Sequence, residues 1–304
     1  MTRTNPSPSA IAIPRRQLLT LSGGAAAVWG LAQLLSARTS HAQPATAAPK
    51  AVAKSLVVLW LNGGPSHIDT FDPKSGGAFA GPFKAINTRT PAVKISQHLP
   101  LLAARSDKFA LLRGMTSKEG NHQRARYLGH TGYAPNPTVK YPSLGAWISS
   151  ERAQKAALPS FISIGGPAEG GGFLGVEHGP FVMRRAGQLP QNVGYGFDVD
   201  ADRFQRRMRG LDYMDQRFQQ RTGDRSVAAR RSVFHSAARL MTAAEVSAFD
   251  LSDEPQAKKD AYGDSDFGRG CLVARRLVEA AVPVVEVTLD GWDTHRDNFE
   301  RVKQ

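Results

Sequence analysis

The 304-residue chain is 41% hydrophobic, 21% charged and 8% aromatic, a balance that supports a buried core in one large α/β domain or two smaller ones. That excludes wholesale disorder, collagen-like repeats and a polytopic membrane protein. Its 39 basic and 26 acidic residues give a formal charge of +13. The single cysteine, Cys271, excludes an intrachain disulfide and a cysteine-built zinc site, so His, Asp and Glu remain as protein ligands for a metal.

The first 42 residues carry Arg3, Arg15, Arg16 and Arg38 and no acid. Without them the chain keeps 35 basic and 26 acidic residues, a charge of +9. A cationic stretch, an apolar run over 18–35 and the small-residue exit Ser40-His41-Ala42 make an export leader, with the cut expected between Ala42 and Gln43. The run contains Thr20, Ser22, Gly23, Gly24, Gly30 and Gln33, which weakens it as a bilayer span. Arg15-Arg16 followed by Leu18-Leu19 resembles a twin-arginine signal. That resemblance implies export of an already folded protein by the twin-arginine machinery, a periplasmic or extracellular location, and no stable span after cleavage. A retained anchor or an amphipathic basic helix is the alternative. Residues 43–54, QPATAAPKAVAK, read as a Pro/Ala-rich linker.

From residue 55 short apolar runs end at Gly/polar corners and alternate with longer helical stretches. Leu56–Leu61 is a continuous apolar run, as expected of a strand covered on both faces, and stops at Asn62-Gly63-Gly64-Pro65. Phe109–Leu112, Phe161–Ile164 and Val284–Leu289 end likewise at Arg113-Gly114, Gly165-Gly166-Pro167 and Asp290-Gly291. Four such runs predict an α/β fold with a mainly parallel sheet flanked by helices. Short helices are expected over 99–105 and 144–150. Phe204, Met208, Leu211, Met214 and Phe218 make one helical stripe, and 271–281 is a further helix. Residues 165–196 are glycine-rich and aperiodic, an elaborated loop. Residues 203–239 hold ten arginines and three acids (Asp212, Asp215, Asp224). With no nucleic-acid motif beside them, they read as a solvated helix pair that at most touches anionic lipid or an acidic partner.

Ligands of open parallel sheets bind beyond the carboxyl ends of strands. Two ends here carry acids and imidazoles: His67, Asp69 and Asp72 after the first run, and Asp290, Asp293 and His295 after the last. Oxygen and imidazole donors together suit zinc, manganese or iron better than calcium. Equally, Asp69 or Asp72 could cap a turn, and His67 could be an ordinary loop histidine. A third corner holds Thr116, Ser117, Asn121, His122 and Arg124 around an expected helix start, a candidate anion site in which Thr116 or Ser117 could instead be the N-cap. A fourth, Gly170-Gly171-Gly172-Phe173, could offer backbone amides. No GxSxG, P-loop or GxGxxG is present, which removes the main support for those serine hydrolases, P-loop NTPases and Rossmann dehydrogenases.

The segments GGPSHIDTFDPK (63–74), RGMTSKEGNHQRARYLGHTGYAP (113–135) and DGWDTHRDNF (290–299) resemble the DUF1501 family across most of 55–304. That family is placed in the alkaline phosphatase/sulfatase-like superfamily, which implies an α/β sandwich with a two-metal site at strand ends. On that resemblance Asp69 matches the first metal-binding aspartate. Asp293 and His295 are similar to a later ligand pair, at Asp-x-His instead of Asp-x-x-x-His spacing. Counting back ten residues from the glycine of Thr131-Gly132 reaches His122 where sulfatases carry Cys or Ser, and Cys271 lacks the Cys-x-Pro-x-Arg context. His122 is thus a nucleophile or ligand candidate, with Thr116 and Ser117 as further catalytic candidates. Family members usually continue past GWDTH, so a C-terminally truncated domain is expected. The reading is an exported metal-dependent hydrolase of a small anionic ester, phosphate or sulfate. Asp69, Asp293 and His295 would hold zinc or manganese; Asn121, Arg124, Arg126 and His67 would contact substrate. No nucleic-acid partner is expected. The alternative is an inactive exported scaffold that keeps the hydrolase fold.

Overall fold

The computed structural model describes residues 53–303 apart from 75, 153–156, 167 and 225. The expected leader over 1–42 and nearly all of the linker lie outside the described residues. Four strands, β1 (Leu56–Leu61), β4 (Phe161–Ile164), β5 (Phe181–Met183) and β6 (Val284–Leu289), form one parallel sheet in the order β1-β6-β4-β5. Strands β2 (Ala85–Asn87) and β3 (Lys94–Ser96) make a separate antiparallel hairpin. The helices are α1 (Pro100–Ala103), α2 (His122–Thr131), α3 (Leu144–Glu151), α4 (Ala201–Thr222), α5 (Ser226–Thr242), α6 (Gln256–Tyr262), α7 (Asp266–Glu279) and α8 (Asn298–Arg301). This is the α/β architecture the apolar runs predict. Among the described residues no helix is long and apolar enough to cross a membrane.

Side chains alternate across a strand, so register decides which residues share a face. Ile162 and Ile164 lie beside Val285 and Val287, and all four are buried against Leu272, Val273 and Leu277 of α7. Helix α7 comes close because Gly270 faces Val287, where a Cβ would stand 2.8 Å from Cγ1. On the opposite face Phe161, Val284 and Glu286 are buried, and α3 packs there. The Ser143 hydroxyl caps α3 by accepting from the Ala146 amide.

Four expectations need correction. Among the described residues strand β1 is the sheet edge and is not covered on both faces: Val57 and Leu59 are 42% and 53% exposed because α7 overlies β6 and β4 without reaching across β1. Residues 109–112 alternate half-buried and exposed, as a strand would, but pair with no strand among the described residues. The glycine-rich 165–196 segment contains β5, too short for periodicity to reveal. The arginine-rich helix pair is α4 and α5, yet it is not simply solvated, for Asp215 is 2% exposed and bonded to Arg230.

A Cβ on Gly145 would overlap Cζ and both Cε atoms of the Phe161 ring. Gly145→Ala should therefore cost about 1–3 kcal/mol in urea unfolding. Adding Phe161→Leu should recover part of that loss, and additive losses would place the strain elsewhere.

Candidate functional site

Strands β1 and β6 pair in register from Leu56↔Val284 to Leu61↔Leu289, so their loops leave the sheet side by side. Those loops are then laced together. The Asn62 amide donates to Leu289 O at 2.9 Å, Trp292 N donates to Asn62 O at 3.2 Å, and Asn62 Nδ2 donates to Asp290 Oδ1 at 2.7 Å. Gly63 has φ +101°, and a Cβ there would run into the Asp293 backbone nitrogen and lie 2.9 Å from the Trp292 carbonyl carbon. Only glycine permits that approach.

On this platform stand Asp293 and His295, met by His122 from the first turn of α2. The Asp293 carboxylate lies between the two imidazoles: Oδ1 is 2.8 Å from His295 Nε2 and Oδ2 is 3.2 Å from His122 Nε2. The rings are nearly perpendicular, 6.2 Å between centroids. One donor atom from each of the three residues lies within 4.8 Å of the others, and all three side chains are exposed. Two imidazoles and a carboxylate converging at an open rim are a donor set fitting zinc, manganese or iron, with positions left for water or substrate.

Helix α2 is aimed by both of its ends. Asn121 Oδ1 accepts from the Gln123 and Arg124 amides, so Asn121, not Thr116 or Ser117, is the N-cap. Farther along, buried His130 hydrogen-bonds through Nδ1 to Arg126 O (2.8 Å) and through Nε2 to Glu286 Oε1 (3.2 Å), with Trp60 against its ring at 3.9 Å. Burial works against charge on this imidazole. The Glu286 hydrogen bond and charge, the Arg126 carbonyl and Glu169 outweigh it, and the His130 pKa lies above the usual imidazole range. Neither His130 nor Glu286 was a candidate from sequence; the signal was a lone acid inside the apolar run Val284–Leu289.

The remaining candidates fall outside the convergent trio. Asp69 lies in a single turn of 3-10 helix, His67–Asp69, and is 2% exposed. Its Oδ2 accepts from Asn298 Nδ2 at 2.9 Å, and Asn298 Oδ1 accepts from Thr294 Oγ1 at 2.5 Å. Its Oδ1 faces Gly81, whose Cβ would lie 2.7 Å away, and has no hydrogen-bond partner among the described residues. Asp69 therefore supports the 293–295 loop through Asn298 and does not join the trio. His67 is 72% exposed, 3.5 Å from Asp72. Lys74 and Arg113 crowd the same Asp72; the Lys74 hydrogen bond, acting against burial, leads the interactions that hold its carboxyl below the usual range.

The anion corner is internally neutralised. Arg124 is paired through Nε and Nη2 with both Glu119 oxygens at 2.6 and 2.7 Å, and Arg126 meets Glu169 at 3.1 Å. The Arg124 hydrogen bond holds the Glu119 carboxyl below its ordinary range. Neither guanidinium is a free clamp. Ser117 Oγ accepts from the Glu119 amide, and Thr116 is exposed. The glycine corner is packing: Gly172 lies against the 140–142 backbone, and Phe173 N donates to Lys140 O at 3.0 Å.

Because the folded pKa of His130 exceeds its unfolded value, the pair's stabilisation is complete below about pH 6.5 and fades as pH rises through the folded value. The melting temperature should thus fall from about pH 6 to pH 8 more steeply in the wild type than in His130→Gln. Parallel melting profiles would dissociate that pH dependence from the His130–Glu286 contact.

A family model described as "Protein of unknown function (DUF1501)" matches residues 53–304. No curated protein and no solved structure matches the chain. A family match running from before β1 through α8 takes in the loops, the platform and every member of the trio, and the chain belongs to the DUF1501 family.

Proposed function

We propose that this chain is an exported, hydrolase-like protein of the alkaline phosphatase/sulfatase-like superfamily that binds a divalent metal and acts on an anionic phosphate or sulfate ester. The observation that carries the reading is the convergence of His122, Asp293 and His295 beyond the carboxyl ends of two adjacent parallel strands. Residues far apart in the chain meet there with mixed nitrogen and oxygen donors, open to solvent. The leader with Arg15-Arg16 supports twin-arginine export to the periplasm or beyond.

In this reading the three side chains hold zinc or manganese, and Asp69 keeps the 293–295 loop in place through Asn298. A bound divalent ion supplies Lewis acidity toward ester oxygens and makes water a better nucleophile at neutral pH. The protein's own part is positional. The Asn121 cap fixes the start of α2, and the Asn62–Asp290 bond fixes the loop bearing Asp293. An ester bound beside α2 has to compete with Glu119 for Arg124. That pairing also favours a second reading, an inactive binding or scaffold protein with the same fold.

The full chain, stripped with chelator, should bind zinc or manganese at one site by titration calorimetry. Asp293→Ala and His295→Ala should weaken binding by more than the roughly 10–100-fold that follows loss of a supporting group. The restored protein should hydrolyse p-nitrophenyl phosphate or sulfate. Metal binding with no turnover on either ester selects the scaffold reading, and no metal binding overturns the metal site altogether.

A further inference from the structure

Helix α4 is 22 residues long, about 33 Å at 1.5 Å per residue. It contributes nothing to the buried apolar cluster around the sheet, and Asp215 is its one buried residue. At about 100° per residue, Tyr213, Arg206, Arg217, Arg221, Arg203, Met214, Arg207 and Phe218 fall within one arc of about 140°. No acid lies within it: Asp202, Asp212 and Asp215 all fall outside. The side turned toward α5 carries Phe204, Met208, Leu211 and Asp212, each half-buried, and Asp215. Tyr213, Met214 and Phe218 on the outer arc are 60%, 69% and 43% exposed.

Arg203 on this arc is paired with Asp198 at 3.3 Å, but the other four guanidiniums are not neutralised internally. Asp212 is taken by Arg231 and His235 of α5, and Asp215 by Arg230. Among the described residues no carboxylate pairs with Arg206, Arg207, Arg217 or Arg221. Instead, Arg217 lies over the Tyr213 ring at 5.7 Å and Arg221 over Phe218 at 5.8 Å. A concavity of about 890 Å³ between α4 and α5 is bordered by Met214, Phe218, Arg217, Arg221 and Arg230.

We infer that the outer face of α4 is a docking surface for an anionic phospholipid bilayer. Charge complementarity and an apolar component occur together on this face: guanidiniums that can reach lipid phosphates in bidentate fashion, interleaved with Met and aromatic side chains that can enter the acyl boundary. A nucleic-acid duplex would satisfy the guanidiniums but offer no apolar sink for Met214 and Phe218.

The test is co-sedimentation of the full chain with vesicles of phosphatidylcholine alone and of phosphatidylcholine mixed with phosphatidylglycerol. Wild type should bind the mixed vesicles only, with affinity falling as salt rises. Arg217→Ala with Arg221→Ala should weaken binding roughly 30-fold, the loss of two basic side chains at an anionic surface. Lys84→Ala with Lys258→Ala removes the same charge elsewhere and should leave binding near wild type. Met214→Ser with Phe218→Ser should weaken binding without changing charge. Equal losses in the two charge variants would reduce the effect to net charge and overturn the proposal. So would unchanged binding in the α4 variants, which assigns vesicle attachment to the basic residues before position 43, or binding to duplex DNA in preference to vesicles.

Discussion

The in-register parallel pairing of β1 with β6 is the constraint on which the site rests. Parallel neighbours send their chains out of the sheet at the same end, so the Asn62 and Asp290 loops have no choice but to meet. Their contact is then tightened by the Asn62–Asp290 side-chain bond and by the missing Cβ of Gly63. A slip of one residue would turn Val285 and Val287 from α7 toward the face that holds Glu286, which the core forbids. Register, set by packing far below, thereby fixes the position of the Asp293 carboxylate.

Helix α2 joins two electrostatic regimes. At one end His122 and Asp293 meet in water, where their attraction is screened; at the other His130 and Glu286 meet inside the protein, where leaving either unpaired is costly. The buried pair therefore holds the helix, while the exposed trio stays free to exchange partners. Elsewhere one buried carboxylate is matched by two arginines. Glu254 accepts from Arg275 and Arg276 at 2.6 Å each, and the Arg276 hydrogen bond, opposed by burial, holds its carboxyl below the ordinary range.

Much of this was legible in the residues. Continuous apolar runs ended by glycine revealed β1, β4 and β6, and Asp293 with His295 stood out because two donors so close together at a strand end are visible without a fold. Three-residue elements such as β2, β3 and β5 carry too few alternations to be seen. The apolar run of β1 concealed its edge position, since hydrophobic composition does not report which neighbours arrive. That Asp69 lies apart from the trio is invisible in sequence, because a carboxylate buried beside Asn298, 229 positions away, reads like any other strand-end acid. Arg124 had its partner five residues upstream, but the partner of Arg126 is 43 residues away and emerges only from the fold.

Strand β1 carries one more implication. Its outer rim has no neighbouring strand among the described residues, and Val57 and Leu59 stand bare on one side of it. Exposed borders of this kind are where polypeptides add further strands, their own or another's. Both side chains point away from the face bearing Glu286, so polarity there can drift without touching the loops that bear the trio. The exposed border and the placement of the trio are thus written in separate residues of one six-residue segment and its continuation, and selection can adjust either alone.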